Sequence, residues 1–205
     1  MGVENYYHIF TKSIAGYKIF VKERDYRRMQ EIIWYYRYER MKRFSKADDF
    51  TKEICGDKLV KIVSYCIMPT HLHFIIGEEK KEGISKFMAN ILNSYTRYFN
   101  LLHNRKGPLW ESRFKKVLVE TDDQLLHLTR YIHLNPTTAR LIEKPEDWRF
   151  SSYREFLNFD TYLKICEFDD LVDIDEKQYK KFVEDNIDYQ RQLHKIKKLI
   201  ELEER

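Results

Sequence analysis

The chain has 205 residues, 43% of them hydrophobic and 34% charged, with 37 Lys and Arg against 33 Asp and Glu. That length holds one or two compact domains, and the apolar content, with only 6 Gly and 4 Pro, excludes a disordered, collagen-like or low-complexity chain. No apolar run approaches the roughly 18 residues that a membrane-spanning helix needs, and residues 1–7 lack the layout of a secretory signal, so the expected compartment is the cytoplasm.

Residues 5–11 (NYYHIFT) are β-branched and aromatic and read as a first strand, which residues 16–21 extend after a turn. Residues 23–44 read as a long helix. In it Tyr26, Met29, Ile33, Trp34 and the Arg37 stem recur at helical spacing, with Arg24, Arg27, Arg28, Arg40 and Arg43 between them. The polar stretch 45–58, which contains Gly56, is a loop. Residues 60–68 (VKIVSYCIM) and 71–77 (HLHFIIG) are two strands separated only by Pro69 and Thr70, a tight hairpin. Residues 83–103 form a second helix, whose apolar stripe runs from Ile84 and Phe87 to Phe99 and Leu102. Residues 113–120 (RFKKVLVE) have strand character, and Thr121 or Asp122 caps a third helix that runs to the residue before Pro136.

This order, β-α-β-β-α-β with an added helix, predicts an α+β, ferredoxin-like domain: a four-stranded antiparallel sheet with two helices on one face. The text changes after Tyr153, where residues 155–176 hold 8 acidic residues and 1 basic one, followed by a charged helical pattern. The expected organisation is a domain over 1–156 and an acidic, helical C-terminal extension over 157–205. Cys55, Cys66 and Cys166 are odd in number and form no C-x-x-C pair, so neither a disulfide framework nor a zinc finger is expected.

Charge is spread unevenly: residues 1–154 carry 28 basic and 19 acidic side chains, and residues 155–205 carry 9 and 14. A basic body with 15 Tyr and 13 Phe suits a polyanion with exposed bases, because Lys and Arg offset phosphate charge while rings stack on unpaired bases. The basic residues concentrate in Arg97, Arg105, Lys106, Arg113, Lys115 and Lys116, against Glu111 alone, with Trp110 and Phe114 among them. This segment is the candidate groove for a single-stranded nucleic-acid backbone. The plain alternative is a loop pinned by a core tryptophan.

Two further patterns carry chemistry. In His71-Leu72-His73, residues i and i+2 of a strand project from one sheet face, so two imidazoles lie side by side and can share a divalent cation. In Arg130-Tyr131-Ile132-His133-Leu134-Asn135-Pro136, Tyr131 and Asn135 are i and i+4 on one helix face. If that helix crosses the histidine-bearing face, the amide oxygen completes the metal shell and the phenol stands beside the bound substrate. A phenol with a pKa near 10 is a poor nucleophile unless a cation or base assists its deprotonation, while a metal polarises the phosphoryl oxygen and offsets the developing charge. His127, one turn before Tyr131, reads as a helix-surface histidine.

Four segments in register, Met68-Pro69-Thr70-His71-Leu72-His73, Gly107-Pro108-Leu109-Trp110-Glu111-Ser112-Arg113-Phe114, residues 130–136 and Trp148-Arg149-Phe150-Ser151-Ser152-Tyr153, resemble the IS200-like transposases, and most closely the REP-associated tyrosine transposases. The resemblance implies a single-tyrosine HUH nuclease acting on single-stranded or hairpin DNA in the nucleoid. By position it makes Tyr131 the nucleophile, His71 and His73 metal ligands, and Asn135 the third protein ligand. The implied reaction forms a 5′-phosphotyrosine and frees a 3′-hydroxyl, with Mg2+ or Mn2+ as cofactor; two imidazoles and an amide favour manganese on ligand softness. Asn135 stands where insertion-sequence relatives often have glutamine, which favours a hairpin-recognising monomer over a mobile homodimer. A non-catalytic single-stranded nucleic-acid-binding module and a small-phosphodiester hydrolase are the competing expectations. The acidic extension is expected either to cover the basic groove as a lid or to dock another protein.

Overall fold

Alternation in the first strand and continuous apolarity in the next two decide the architecture. In the computed structural model, which describes residues 6–39, 44, 56–171 and 174–203, β1 (Tyr6–Lys12) lies inside a four-stranded antiparallel sheet. The other strands are β2 (Val60–Met68), β3 (His71–Glu78) and β4 (Lys115–Leu118), in the order β2-β3-β1-β4. Helices α1 (Glu23–Tyr36) and α2 (Gly83–Leu102) cover one face over Ile9, Ile62, Tyr65, Ile67, Leu72, Phe74 and Ile76. This is the expected ferredoxin-like α+β arrangement. The added helix α3 (Asp122–Thr138) lies on the other face, where Leu125 and Ile132 pack against Val63, Cys66, Met68 and Ile75.

β2 and β3 are apolar nearly throughout because both of their faces are covered, whereas a half-solvated strand alternates. A register shift between Ile62 and Ser64 turns Val63 and Ser64 together toward α3. The outer edge of β2 is covered too. Ile67 donates its backbone N–H to the Phe150 carbonyl, Ser152 donates to that of Tyr65, and Glu167 donates to that of Ile62. The Trp148–Tyr153 segment is therefore an edge brace, pinned by the Trp148 indole N–H on the Ile67 carbonyl. At the opposite edge, all four residues of β4 are exposed.

Several boundaries differ from the sequence reading. The first helix ends at Tyr36, because Arg37 turns inward to donate to the Ile165 carbonyl; Arg40, Arg43 and residues 45–55 lie outside the described residues. Residues 16–21 do not extend β1: a 3-10 turn at Ile14–Gly16 is followed by irregular chain. The third helix continues past Pro136 to Thr138. Pro136 removes the N–H that would reach the Ile132 carbonyl, and the Asn135 side-chain amide lies 3.4 Å from that oxygen in its place.

The C-terminal helices, α4 (Tyr153–Phe156), α5 (Glu176–Glu184) and α6 (Ile187–Glu203), pack on the outer side of α3. Tyr179 and Val183 are buried with Leu134, Tyr153 and Phe156. The acidic residues of this region find partners close by, Glu167 with Lys58 and Arg37, and Asp170 with Lys61 at 2.6 Å. The extension braces α3 from behind, and among the described residues it forms no lid on the 97–116 segment. Cys66 and Cys166 are buried free thiols.

Candidate active site

The strand register lines up three rows of side chains on the face beneath α3. They read Met68, His71 and Lys12; Cys66, His73, Phe10 and Lys115; and Ser64, Ile75, His8 and Val117. His71 and His73 share this face, with ring centroids 5.0 Å apart and planes at 86°. α3 is started by a reciprocal cap, Thr121 accepting from the Gln124 N–H and Gln124 accepting from the Glu120 N–H. From that anchored start, the third turn brings the Tyr131 ring edge-on to His73 at 6.0 Å and to His8 at 6.3 Å. Tyr131 keeps 41% of its surface in solvent, so it is approachable from outside.

Asn135, one turn on, is half-buried. Its Nδ2 donates to the Tyr131 carbonyl at 3.0 Å, and its Oδ1 has no hydrogen bond among the described residues. The same carbonyl accepts from Gln190 of α6 at 3.1 Å. The adjoining proline explains why asparagine serves here: the amide N–H2 group substitutes for the missing backbone donor, which leaves the oxygen as the free end of the side chain.

Burial sets the electrostatics. It holds His71 down to about 4, helped by the Lys12 charge, and His8 down to about 4. His73 is held well below its ordinary value, by burial first and then by His71, His8 and Lys12. All three imidazoles are therefore neutral at pH 7 and offer lone pairs. Partial burial raises the Tyr131 phenol above its ordinary value, so it is protonated until a reaction takes the proton.

The donor set fits a divalent cation. Nδ1 of His71 is engaged by the Thr70 hydroxyl at 2.9 Å, and Nδ1 of His73 by Nε2 of His8 at 3.2 Å, which leaves both Nε2 atoms free as ligands in the way outer hydrogen bonds usually orient metal-binding histidines. Among the described residues no three His, Cys, Asp or Glu side chains are grouped to hold a metal ion. The protein's contribution would then be two imidazoles and the Asn135 amide oxygen, with water or substrate oxygens completing the shell.

The basic segment is less concentrated than its sequence suggests. Lys115 shares the histidine face, 5.7 Å above the Phe10 ring, and Arg113 is exposed just before it. Lys116 points to the opposite face, over Tyr7 and toward Glu78. Arg97 is exposed on α2, in the layer across the sheet, and Lys106 is exposed on the following turn. Arg105 is committed to that turn, donating to Asn100, Gly107 and Pro108. The expectation that Trp110 offers a stacking face is corrected: it is 9% exposed, packs with Phe20 and Tyr95, and donates its N–H to the Leu92 carbonyl and the Thr96 hydroxyl. Phe114 is half-buried against the same core. His127 is on the helix surface, beside Arg130 and Asp123.

Sequence reasoning missed His8 and Lys12. Alternation alone puts Tyr6, His8, Phe10 and Lys12 on one face of β1, but only the pairing of β1 with β3 shows that this is the face of His71 and His73.

The family model described as "Transposase IS200 like" matches residues 3–135, more than half of the chain and all of the site. The chain belongs to the IS200-like transposase family. A candidate REP-associated tyrosine transposase of Haemophilus influenzae is 25% identical over 121 residues, 54% of this chain and 69% of the relative. Among solved structures, a REP-associated tyrosine transposase bound to a REP hairpin superposes with a TM-score of 0.53 at 15% identity. That match covers 83% of this chain and 92% of the other, and at such low identity it shows the shared fold. The transposase has no helix, among its described residues, that is long and apolar enough to cross a membrane.

Proposed function

We propose that this IS200-like transposase is a metal-dependent endonuclease and strand-transfer enzyme for single-stranded DNA, acting near hairpins through a 5′-phosphotyrosine at Tyr131. The observation that carries the reading is the approach of one solvent-accessible phenol to a pair of neutral imidazoles, at 6.0 Å from the His73 ring. His71, His73 and Asn135 would hold Mg2+ or Mn2+, which when bound polarises the scissile phosphate and offsets the charge that develops on it.

The chain's own residues account for the remainder. Tyr131 Oη forms a bond to phosphorus as the bond from phosphorus to the 3′-oxygen breaks; the phenol gives up its proton and the departing 3′-oxygen takes one up, so the step needs no energy source and runs in reverse when a 3′-hydroxyl attacks. Lys12, two residues from Phe10 on β1, and Lys115, opposite Phe10 on β4, end the two histidine rows on the same side and would offset the charge of a backbone lying across Phe10. Gln190 and the Asn135 amide fix the carbonyl of the reacting residue. Tyrosine and histidines come from one chain, so a monomer suffices for cleavage. The hairpin preference is taken from the structural relative.

The test is incubation with Mn2+ and labelled single-stranded DNA carrying the palindromes that flank the gene. A denaturation-resistant protein–DNA conjugate is expected, lost with EDTA and in Tyr131→Phe, with DNA affinity nearly kept in the variant. A conjugate that survives Tyr131→Phe rejects the nucleophile; binding indifferent to EDTA with no conjugate at all means a binding module without chemistry.

A further inference from the structure

His8 lies outside the H-x-H pair and outside the tyrosine helix, yet it touches both. Its ring stacks on His73 with centroids 5.4 Å apart and planes at 14°, its Nε2 lies 3.2 Å from His73 Nδ1, and the Tyr131 ring meets it edge-on at 6.3 Å. β1 is central in the sheet, paired on both sides, so the backbone beneath His8 is fixed by β3 and β4 together. Phe10 packs against His8 on the same face at 5.0 Å, which restricts the imidazole further.

From this contact we infer that His8 is a positioning residue, which selects the tautomer of His73 and holds its ring with Nε2 turned toward the cation; the inference rests on the function proposed above. A neutral imidazole has one N–H and one lone pair. If His73 is to bind a cation through Nε2, its proton must sit on Nδ1, and among the described residues the acceptor within reach of that N–H is Nε2 of His8. His8 in turn carries its own proton on Nδ1, which has no hydrogen bond among the described residues and is free to meet water. Thr70 has the matching part for His71, through its hydroxyl on Nδ1. The two ligands are thus held by different kinds of partner: a side chain on the hairpin turn for His71, and a side chain on another strand for His73. Through His8 the geometry of the metal site depends on the registry between β1 and β3.

The experiment measures Mn2+ binding by the full-length protein without DNA, from the EPR signal of free Mn2+, for the wild type and for His8→Phe, His8→Gln and His71→Ala. His8→Phe keeps a ring of similar breadth and removes the acceptor; His8→Gln restores an acceptor. Loss of an outer partner of this kind typically weakens metal binding about 10–100-fold, and that loss is expected for His8→Phe, with His8→Gln recovering most of it. Melting of each metal-free variant should stay within a few degrees of the wild type, which a purely structural role for His8 would not allow.

Unchanged Mn2+ affinity in His8→Phe, with affinity lost in His71→Ala, overturns the positioning role and leaves the proposed function standing. A His8→Gln variant as weak as His8→Phe also overturns it, since His8 would then act as a ligand or by shape. If the wild type takes up no Mn2+ at all, the metal reading and the role of His8 fall together. Should His8→Phe not fold, His8→Gln decides alone: binding within a few-fold of the wild type supports the role, and a loss as large as that of His71→Ala rejects it.

Discussion

His133 and Tyr131 are two residues apart on α3 and face opposite surroundings. Tyr131 looks outward over the sheet, whereas the His133 imidazole is fully buried, with Nε2 2.8 Å from the Ser152 hydroxyl and 3.1 Å from that of Ser64, and Nδ1 2.7 Å from the Tyr179 hydroxyl. Burial holds its pKa down to about 3, against an ordinary 6.5. Below pH 6.5 the unfolded chain therefore takes up a proton that the folded chain refuses, and stability falls as pH drops from 6.5 toward 3. The stability gap between the wild type and His133→Gln should narrow by about 2 kcal/mol between pH 7 and pH 5, measured by urea unfolding without metal. A gap that stays constant with pH contradicts a neutral, buried His133. Glu155 works in the other direction: burial pushes its carboxyl up to about 7 despite the N–H groups of Ile165 and Cys166, so its contribution is lost as pH rises from 4.5 through 7. Comparing the two proteins at each pH cancels that opposing slope.

Among the elements, the sequence of the loop from Gly107 to Phe114 allows a stacking platform or a segment pinned to the core, and its tryptophan takes the second form. Trp110 is bridged to Ser13, beyond the end of β1, and its N–H is satisfied by α2, so the ring ties the loop between a strand and a helix. Trp110→Ala should cost about 3–5 kcal/mol in urea unfolding, the range for removing a large buried aromatic. A loss below about 1 kcal/mol would show that the ring is free to leave the core. The tyrosine helix was legible as a helix from its cap and periodicity, but its end was not. Asn-Pro reads as a stop because proline lacks a donor, and the structure continues because the Asn135 side-chain amide reaches the orphaned Ile132 carbonyl.

For the molecule as a whole, basic charge is shared between structure and surface. Arg37, Lys58 and Lys61 pair with the acidic stretch that follows α4, and Arg105 holds its own turn, while Lys12 and Lys115 remain beside the histidine rows. A small cluster predicts a moderate salt dependence. The slope of log affinity for single-stranded DNA against log salt should fall in magnitude by about 0.7 for each phosphate contact removed. Lys12→Gln and Lys115→Gln are expected to do this, while Lys116→Gln, on the opposite face, leaves the slope unchanged. Equal effects from all three would mean that DNA is bound diffusely over both faces.

The order of elements, the hairpin that carries two histidines on one face, the i, i+4 pairing of Tyr131 with Asn135 and the family likeness were all present in the sequence. Each depends on neighbours along the chain, and local periodicity records such neighbours directly. Contacts between distant residues leave no such record. That β1 sets His8 against His73, that Lys115 and Lys116 part to opposite faces, that Trp110 turns inward, and that the acidic extension braces α3 from behind were decided by strand pairing and packing, because a strand's two faces look alike until the sheet has been assembled and one of them has been covered.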